Sequence, residues 1–108
     1  MAIKFTDENV KEYIESGKPV VIDFWATWCS PCVGMGPVID QLAEEYEGKV
    51  AVGKYNIEEE SDLSTECRIM SIPAILFFKD GKNVKELRLA GSQKIETLRE
   101  QVEKLLAL

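Results

Sequence analysis

The sequence predicts an α/β fold in which a central mixed β-sheet of about five strands is flanked by about four helices. Segments with apolar residues at helical spacing alternate with short, almost wholly apolar runs, which are typical of strands buried on both faces. Near the end of the chain, Asp80-Gly81 is a hairpin signal, so the strand after it should pair back antiparallel. Because 108 residues can enclose one hydrophobic core, we expect a single domain over residues 1–108.

The boundaries of the elements follow from local chemistry. Thr6 is a favourable residue to begin a helix, and Gly17-Lys18-Pro19 would end it. A second helix should run from the cysteine segment to Gly48, and the acidic stretch 58–62 reads as a solvated loop and helix start. The expected strands are 20–25, 50–57, 74–78 and 84–90, and the closing helix carries an apolar stripe formed by Ile95, Leu98, Val102, Leu105 and Leu106.

Charge and hydropathy exclude several classes of partner. The net charge of −6 disfavours nucleic acid and anionic membranes, because both require a basic face. No apolar run approaches the roughly 18–20 residues of a membrane span, and the first residues lead directly into a helix signal rather than an export signal. A cytoplasmic protein is therefore expected, although a secreted protein whose signal has been removed would give the same sequence.

Cysteine and histidine counts narrow the chemistry further. Three cysteines are an odd number, which argues against the disulfide framework of a small secreted protein. The chain has no histidine, so Ser-His and Cys-His nucleophilic pairs and imidazole metal sites are excluded.

Cys29 and Cys32 are the strongest candidates for catalysis, because they follow a buried strand and begin a helix. Residues three apart at a helix start are neighbours, so the two sulfurs can approach disulfide distance. The free N–H groups there stabilise a thiolate, and the pKa of a cysteine in such a position can fall from ~8.5 to roughly 3.5–7.5. Cys29 should be the more exposed sulfur and the nucleophile, and Cys32 should be the resolving thiol. Pro31 is tolerated in the first turn.

The alternative for this pair is half of a metal site. It is disfavoured because no second cysteine pair or histidine exists, and Cys67 alone cannot complete a four-ligand zinc site. We expect Cys67 to be a small apolar filler or a partly exposed thiol outside the catalytic pair.

Asp23 is an acid in the middle of an otherwise apolar strand, where an unpaired carboxylate is costly. One interpretation is a structural ion pair, with Lys54 of the next strand as the partner. The other is a buried base that carries a proton to or from Cys32, since a desolvated carboxyl has a raised pKa. The residues alone leave both open.

The segment Phe24-Trp25-Ala26-Thr27-Trp28-Cys29-Ser30-Pro31-Cys32, followed by Pro37, resembles the active-site signature of thioredoxins. The resemblance covers essentially the whole chain. Asp23, Lys54, Ile72-Pro73 and Gly91 also occur in that family's order and spacing.

This resemblance implies the thioredoxin fold, with Pro73 as a cis-proline next to the cysteines, where the residues alone would favour a trans proline. It implies a protein-disulfide reductase whose substrate groove is formed by Trp28, Ile72, Pro73 and Gly91. It also favours proton transfer by Asp23, with Lys54 nearby. The protein would be a monomer without a cofactor or metal of its own. Its electrons would come from thioredoxin reductase, an NADPH-dependent flavoprotein, and would pass to disulfide-containing proteins.

Three residues depart from the family pattern: Ser30 replaces the usual glycine, Val33 a common lysine and Ala74 a threonine. A hydrogen bond from the Ser30 hydroxyl to a Cys29 thiolate, worth about 1.5–3 kcal/mol, would favour the reduced form. That corresponds to roughly 30–60 mV toward the oxidising side. Two rival functions remain: a thiol oxidase or isomerase of an exported compartment, and a redox-independent binding subunit of a partner enzyme.

Overall fold

The computed structural model describes residues 1–108 and shows one mixed sheet with helices on both faces. The strands are β1 (Ile3–Phe5), β2 (Val20–Trp25), β3 (Ala51–Asn56), β4 (Ala74–Lys79), β5 (Lys82–Asn83) and β6 (Leu89–Ala90). The helices are α1 (Asp7–Glu15), α2 (Ser30–Glu45), α3 (Asp62–Glu66) and α4 (Ile95–Leu106), with a short 3₁₀ helix over Lys85–Leu87. The strand order is β1-β3-β2-β4-β5, with β6 also paired to β4. The predicted α/β class is confirmed.

Strand β2 lies at the centre of the sheet, parallel to β3 and antiparallel to β4. Side chains of a strand alternate between the two faces, and here both faces are covered. Val20, Ile22 and Phe24 join the core cluster beneath α1 and α3, whereas Val21 joins the cluster beneath α2 and α4. By the same alternation Asp23 is directed to the α2 face, which places a carboxyl in the layer below the cysteine helix.

Two elements differ from the prediction. Strand β1 was not predicted, because a strand of three residues has too little pattern to recognise, and it is defined by its parallel pairing with β3. The single return strand predicted over 84–90 is wrong: after the hairpin turn the chain pairs back with β4 through two short strands, β5 and β6, and the 3₁₀ helix separates them. That turn allows Leu87 to enter the core, where its carbonyl accepts a hydrogen bond of 2.9 Å from the Gln101 side chain.

Asp7 connects α1 to the start of α3. Its carboxylate accepts backbone N–H groups of Ser61, Asp62 and Leu63 at 3.0–3.1 Å and the hydroxyl of Tyr55 at 2.6 Å. Burial raises the pKa of Asp7, but these hydrogen bonds outweigh it and lower the pKa to about 2. The side chain of the N-cap residue Ser61 makes no capping hydrogen bond to α3. Asp7, which is far from α3 in the sequence, therefore caps this helix.

Replacing Asp7 with Ala should lower the free energy of unfolding by about 1–3 kcal/mol at pH 7, because three backbone donors lose a charged acceptor. The folded-state pKa lies below the unfolded value of about 3.9, so this stabilisation is complete above about pH 4 and is lost as the pH falls toward 2. Urea unfolding at pH 7 and pH 3 would measure the change. Glu8→Ala, which removes an exposed acid from the same helical turn, is the control; an equal loss in both variants would contradict the assignment.

Candidate active site

The two cysteines lie where β2 leads into α2. Cys29 is the N-cap of α2, with extended backbone angles, and Cys32 lies in the first helical turn. They are joined by a disulfide with a Cα–Cα distance of 5.2 Å, and the backbone N–H of Cys32 lies 3.3 Å from the Cys29 sulfur. The predicted juxtaposition of the two sulfurs at a helix start is confirmed.

The two sulfurs have different environments. Cys29 is 6% exposed and Cys32 is 1% exposed, so the first is the outer member of the pair. Once the disulfide is reduced, the Cys32 N–H would donate to a Cys29 thiolate, and the 16-residue helix adds the positive end of its dipole. The arrangement favours an anion on Cys29 rather than on Cys32.

A cis peptide bond at Ile72-Pro73 lies against the cysteine pair, as predicted. The Ile72 carbonyl oxygen is 4.0 Å from the Cys29 sulfur, and the Pro73 carbonyl accepts the N–H of Gly91 at 2.8 Å. Gly91 has a φ of +82°, a conformation that favours glycine. The structure thus brings Ile72, Pro73 and Gly91 together beside Cys29, while Trp28 is 68% exposed next to it.

Some exposed apolar side chains lie close in sequence to the site residues. Five large hydrophobic side chains are exposed; Met1 and Leu108 are chain ends, whereas Trp28, Val33 and Met70 lie close in sequence to Cys29 or to Ile72. Neither of the two main cavities, about 630 Å³ and 1030 Å³, includes a residue of the disulfide. These two cavities are therefore not where the cysteines would meet a substrate.

Glu58 holds the loop that carries Trp28, a role that the sequence did not reveal. Its carboxylate accepts the backbone N–H of Thr27 at 2.6 Å and the Thr27 hydroxyl at 2.7 Å. These hydrogen bonds lower the pKa of Glu58 and keep it a charged acceptor. The acidic stretch reads as solvated because no local feature of it indicates a contact that spans 31 residues.

Asp23 is 1% exposed, and its Oδ1 atom has no hydrogen-bond partner. Burial raises the pKa of Asp23 to about 7, although the positive charge of Lys54 acts in the opposite direction. Lys54 is the register neighbour of Asp23 on β3, yet its ammonium forms its ion pair with Asp40, at 3.2 Å. The ion pair that was one of the two interpretations, between Asp23 and Lys54, is not made, because Lys54 pairs with Asp40 instead.

Cys67 is a free, partly buried thiol that packs against the core cluster below α1 and α3, not against the disulfide. Burial and the adjacent Glu66 raise the pKa of its thiol, and Arg88 opposes them. A raised pKa makes a thiol less nucleophilic at neutral pH. No group of three or more cysteine or acidic residues is arranged to hold a metal ion, and no helix is both long and apolar enough for a bilayer.

Comparison with known proteins gives a consistent result. The thioredoxin family model matches residues 1–104. Thioredoxin of Alicyclobacillus acidocaldarius is 43% identical over 97 residues, which cover 90% of each chain. Thioredoxin of Staphylococcus saprophyticus is 41% identical over 102 residues, 94% of this chain and 95% of the relative. The chloroplastic M-type thioredoxin of Spinacia oleracea is 45% identical over 102 residues, and this chain spans 55% of its length.

Replacing Asp23 with Asn should stabilise the oxidised protein at pH 8 by about 2–4 kcal/mol and have little effect at pH 4. The folded state keeps the Asp23 proton up to about pH 7, whereas the unfolded chain loses it near pH 4, so wild-type stability falls as the pH rises between these values. Asn resembles the protonated acid and does not titrate. Urea unfolding at both pH values tests this prediction, with the exposed Glu47→Gln as control. A difference in unfolding free energy between Asp23→Asn and the wild type that does not depend on pH would refute the prediction.

Proposed function

The chain belongs to the thioredoxin family of protein-disulfide oxidoreductases, and we propose that it reduces protein disulfides with Cys29 as nucleophile and Cys32 as resolving thiol. The observation that carries this proposal is the Cys29–Cys32 disulfide at the N-terminus of α2, beside the cis peptide bond at Pro73. The rest of the site supplies a reason for each step.

In the first step, the Cys29 thiolate attacks one sulfur of a substrate disulfide. An S–S bond forms between Cys29 and the substrate, and the other substrate sulfur leaves as a thiolate that takes up a proton. In the second step, Cys32 loses its proton and attacks the Cys29 sulfur, which releases the second substrate thiolate. Two electrons pass to the substrate, and Cys29–Cys32 becomes the disulfide seen here.

Asp23 is the proposed acceptor of the Cys32 proton. Both residues belong to the buried layer between the sheet and α2, and Asp23 is the acidic residue among the buried side chains there. A carboxyl with a pKa of about 7 is divided between its two forms near neutral pH, which suits a group that must take up and return a proton.

The substrate would lie on Trp28, Ile72, Pro73 and Gly91. Ile72 is outside every helix and strand, and its N–H and C=O form no hydrogen bond with other main-chain groups. An extended substrate segment can pair with these free groups, as a strand pairs with a sheet edge. Exposed Trp28, Val33 and Met70 would add apolar contacts around the scissile disulfide.

Thioredoxin family proteins work with thioredoxin reductase and disulfide substrates. For this chain we infer the NADPH-dependent flavoprotein reductase as electron donor, which removes any need for a cofactor in the chain itself. We further infer a monomeric, single-domain protein over residues 1–108 that acts in the cytoplasm. The net charge of −6 supports partners other than nucleic acid or anionic membranes.

Replacing each cysteine with serine should separate the two roles. Cys29→Ser should abolish the reduction of insulin by dithiothreitol in the presence of this protein, because the attacking sulfur is lost. Cys32→Ser should still attack but should accumulate mixed disulfides, detectable by mass spectrometry. Cys67→Ser is the matched control and should retain activity. Trapping by Cys29→Ser rather than by Cys32→Ser would reverse the assignment.

Removing the Ser30 hydroxyl should make the protein more reducing. Ser30 is exposed, so water competes for the hydrogen bond to the Cys29 thiolate and the lower end of the predicted range, roughly 30 mV, is expected. Ser30→Gly and Ser30→Ala should both shift the potential, whereas Ser30→Thr keeps the hydroxyl and should not. Equilibration with a glutathione buffer measures the reduction potential. Unchanged potentials in both Ser30→Gly and Ser30→Ala would exclude this mechanism.

A further inference from the structure

We propose that Asp40 is a positioning residue of the redox site: by binding the ammonium of Lys54, it withholds that cation from Asp23 and leaves the buried carboxyl free to accept a proton. Asp40 itself touches neither the disulfide nor the substrate surface. The functional consequence rests on the proposed role of Asp23 as acceptor for Cys32, but the geometric part can be tested separately.

The backbone places Lys54 within reach of Asp23. The two residues are direct partners in the parallel pairing of β2 with β3, and neighbouring strands lie about 4.8 Å apart. Val52 belongs to the cluster beneath α2, so alternation directs Lys54 to the same face as Asp23. An ion pair between them would be the expected arrangement for two opposite charges so placed. The structure instead leaves Oδ1 of Asp23 without a partner.

Two residues of α2 explain where the ammonium goes. At Gly36 a side chain is absent, and the Lys54 Nζ atom lies 3.5 Å from the point that a Cβ would occupy, so the lysine passes close beneath the helix. One turn further along, Oδ2 of Asp40 accepts the ammonium at 3.2 Å, while its Oδ1 accepts the backbone N–H of Ala2 at 3.0 Å. Asp40 is thus held from two sides.

Solvation favours this arrangement. The side chains of Lys54 and Asp40 are 25% and 38% exposed, whereas Asp23 is 1% exposed. An ion pair at a partly exposed site retains hydration that a fully buried pair would lose. Asp40 therefore offers Lys54 a partner that does not require the ammonium to leave water.

The surroundings of Asp23 contain few other charges. From β3 it faces Lys54, from β4 its register neighbour is the apolar Ile75, and from α2 the titratable groups are Cys32 and Asp40 with the bonded Cys29. Helix α4 contributes apolar side chains to this core. Lys54 is consequently the main cation able to favour the ionised form of Asp23, and Asp40 controls its position.

The test is the titration of Asp23 in the reduced protein, followed by carboxyl ¹³C NMR. Asp40→Asn keeps an acceptor for Ala2 but removes the charge that holds Lys54, so the Asp23 midpoint should fall by roughly 1 pH unit as the ammonium approaches. Asp40→Glu retains the charge and should restore the wild-type midpoint. Glu44→Gln removes an exposed charge from the same helix and is the control for net charge.

Removing Asp40 also removes a negative charge that acts directly on Asp23, so the mutation is repeated in a Lys54→Met background. There, Asp40→Asn should shift the midpoint by much less, because no ammonium can be released. An unchanged midpoint in Asp40→Asn, or equal shifts in the two backgrounds, would overturn the proposal.

The same variants separate this proposal from the proposed function. If Asp23→Asn leaves the pH profile of Cys32 attack on a mixed disulfide unchanged, Asp23 is not the proton acceptor, yet the NMR titration still decides whether Asp40 positions Lys54. If both proposals hold, the midpoint of that pH profile falls in Asp40→Asn by the same amount as the NMR midpoint.

Discussion

The packing of β2 on both faces determines where the chemistry of this protein can occur. A strand that contributes side chains to two core clusters cannot tilt or slide without disturbing both, so the end of β2 is a fixed point. The chain leaves this point through a short loop, and α2 begins with Cys29 as its N-cap. The sulfur, the helix dipole and the neighbouring Ile72 carbonyl are therefore held in one arrangement by the core.

The same strand carries the least favourable residue of the core. Placing Asp23 on β2 costs stability whenever the carboxyl is ionised, because Oδ1 has no hydrogen-bond donor to replace water. A nearby lysine could reduce that cost, but the Lys54 ammonium forms its ion pair with Asp40 instead. Relief of the charge would lower the pKa of Asp23 and weaken it as a base at neutral pH. Stability would favour an ion pair between Lys54 and Asp23, whereas the proposed proton transfer would favour the observed pair between Lys54 and Asp40.

The elements that can be predicted from the sequence are those whose determining interaction is local. Thr6 begins α1 because its own side chain caps the helix, and β2 was predicted with the observed bounds because its six residues are almost all apolar. The cysteine pair followed from spacing and from the strand before it. The cis peptide bond at Pro73 came from the family resemblance, since an X-Pro pair alone gives no indication of it.

Contacts between residues far apart in the chain could not be predicted from the sequence. Asp7 caps α3 across more than 50 residues, and Glu58 holds Thr27 across 31. The break between β5 and β6 has the same origin, because the burial of Leu87 against α4 overrides the local pattern of a strand. Lys54 shows the limit most clearly. Adjacent strands correctly suggested that it lies opposite Asp23, but only the three-dimensional position of α2 determines that its charge is bound by Asp40.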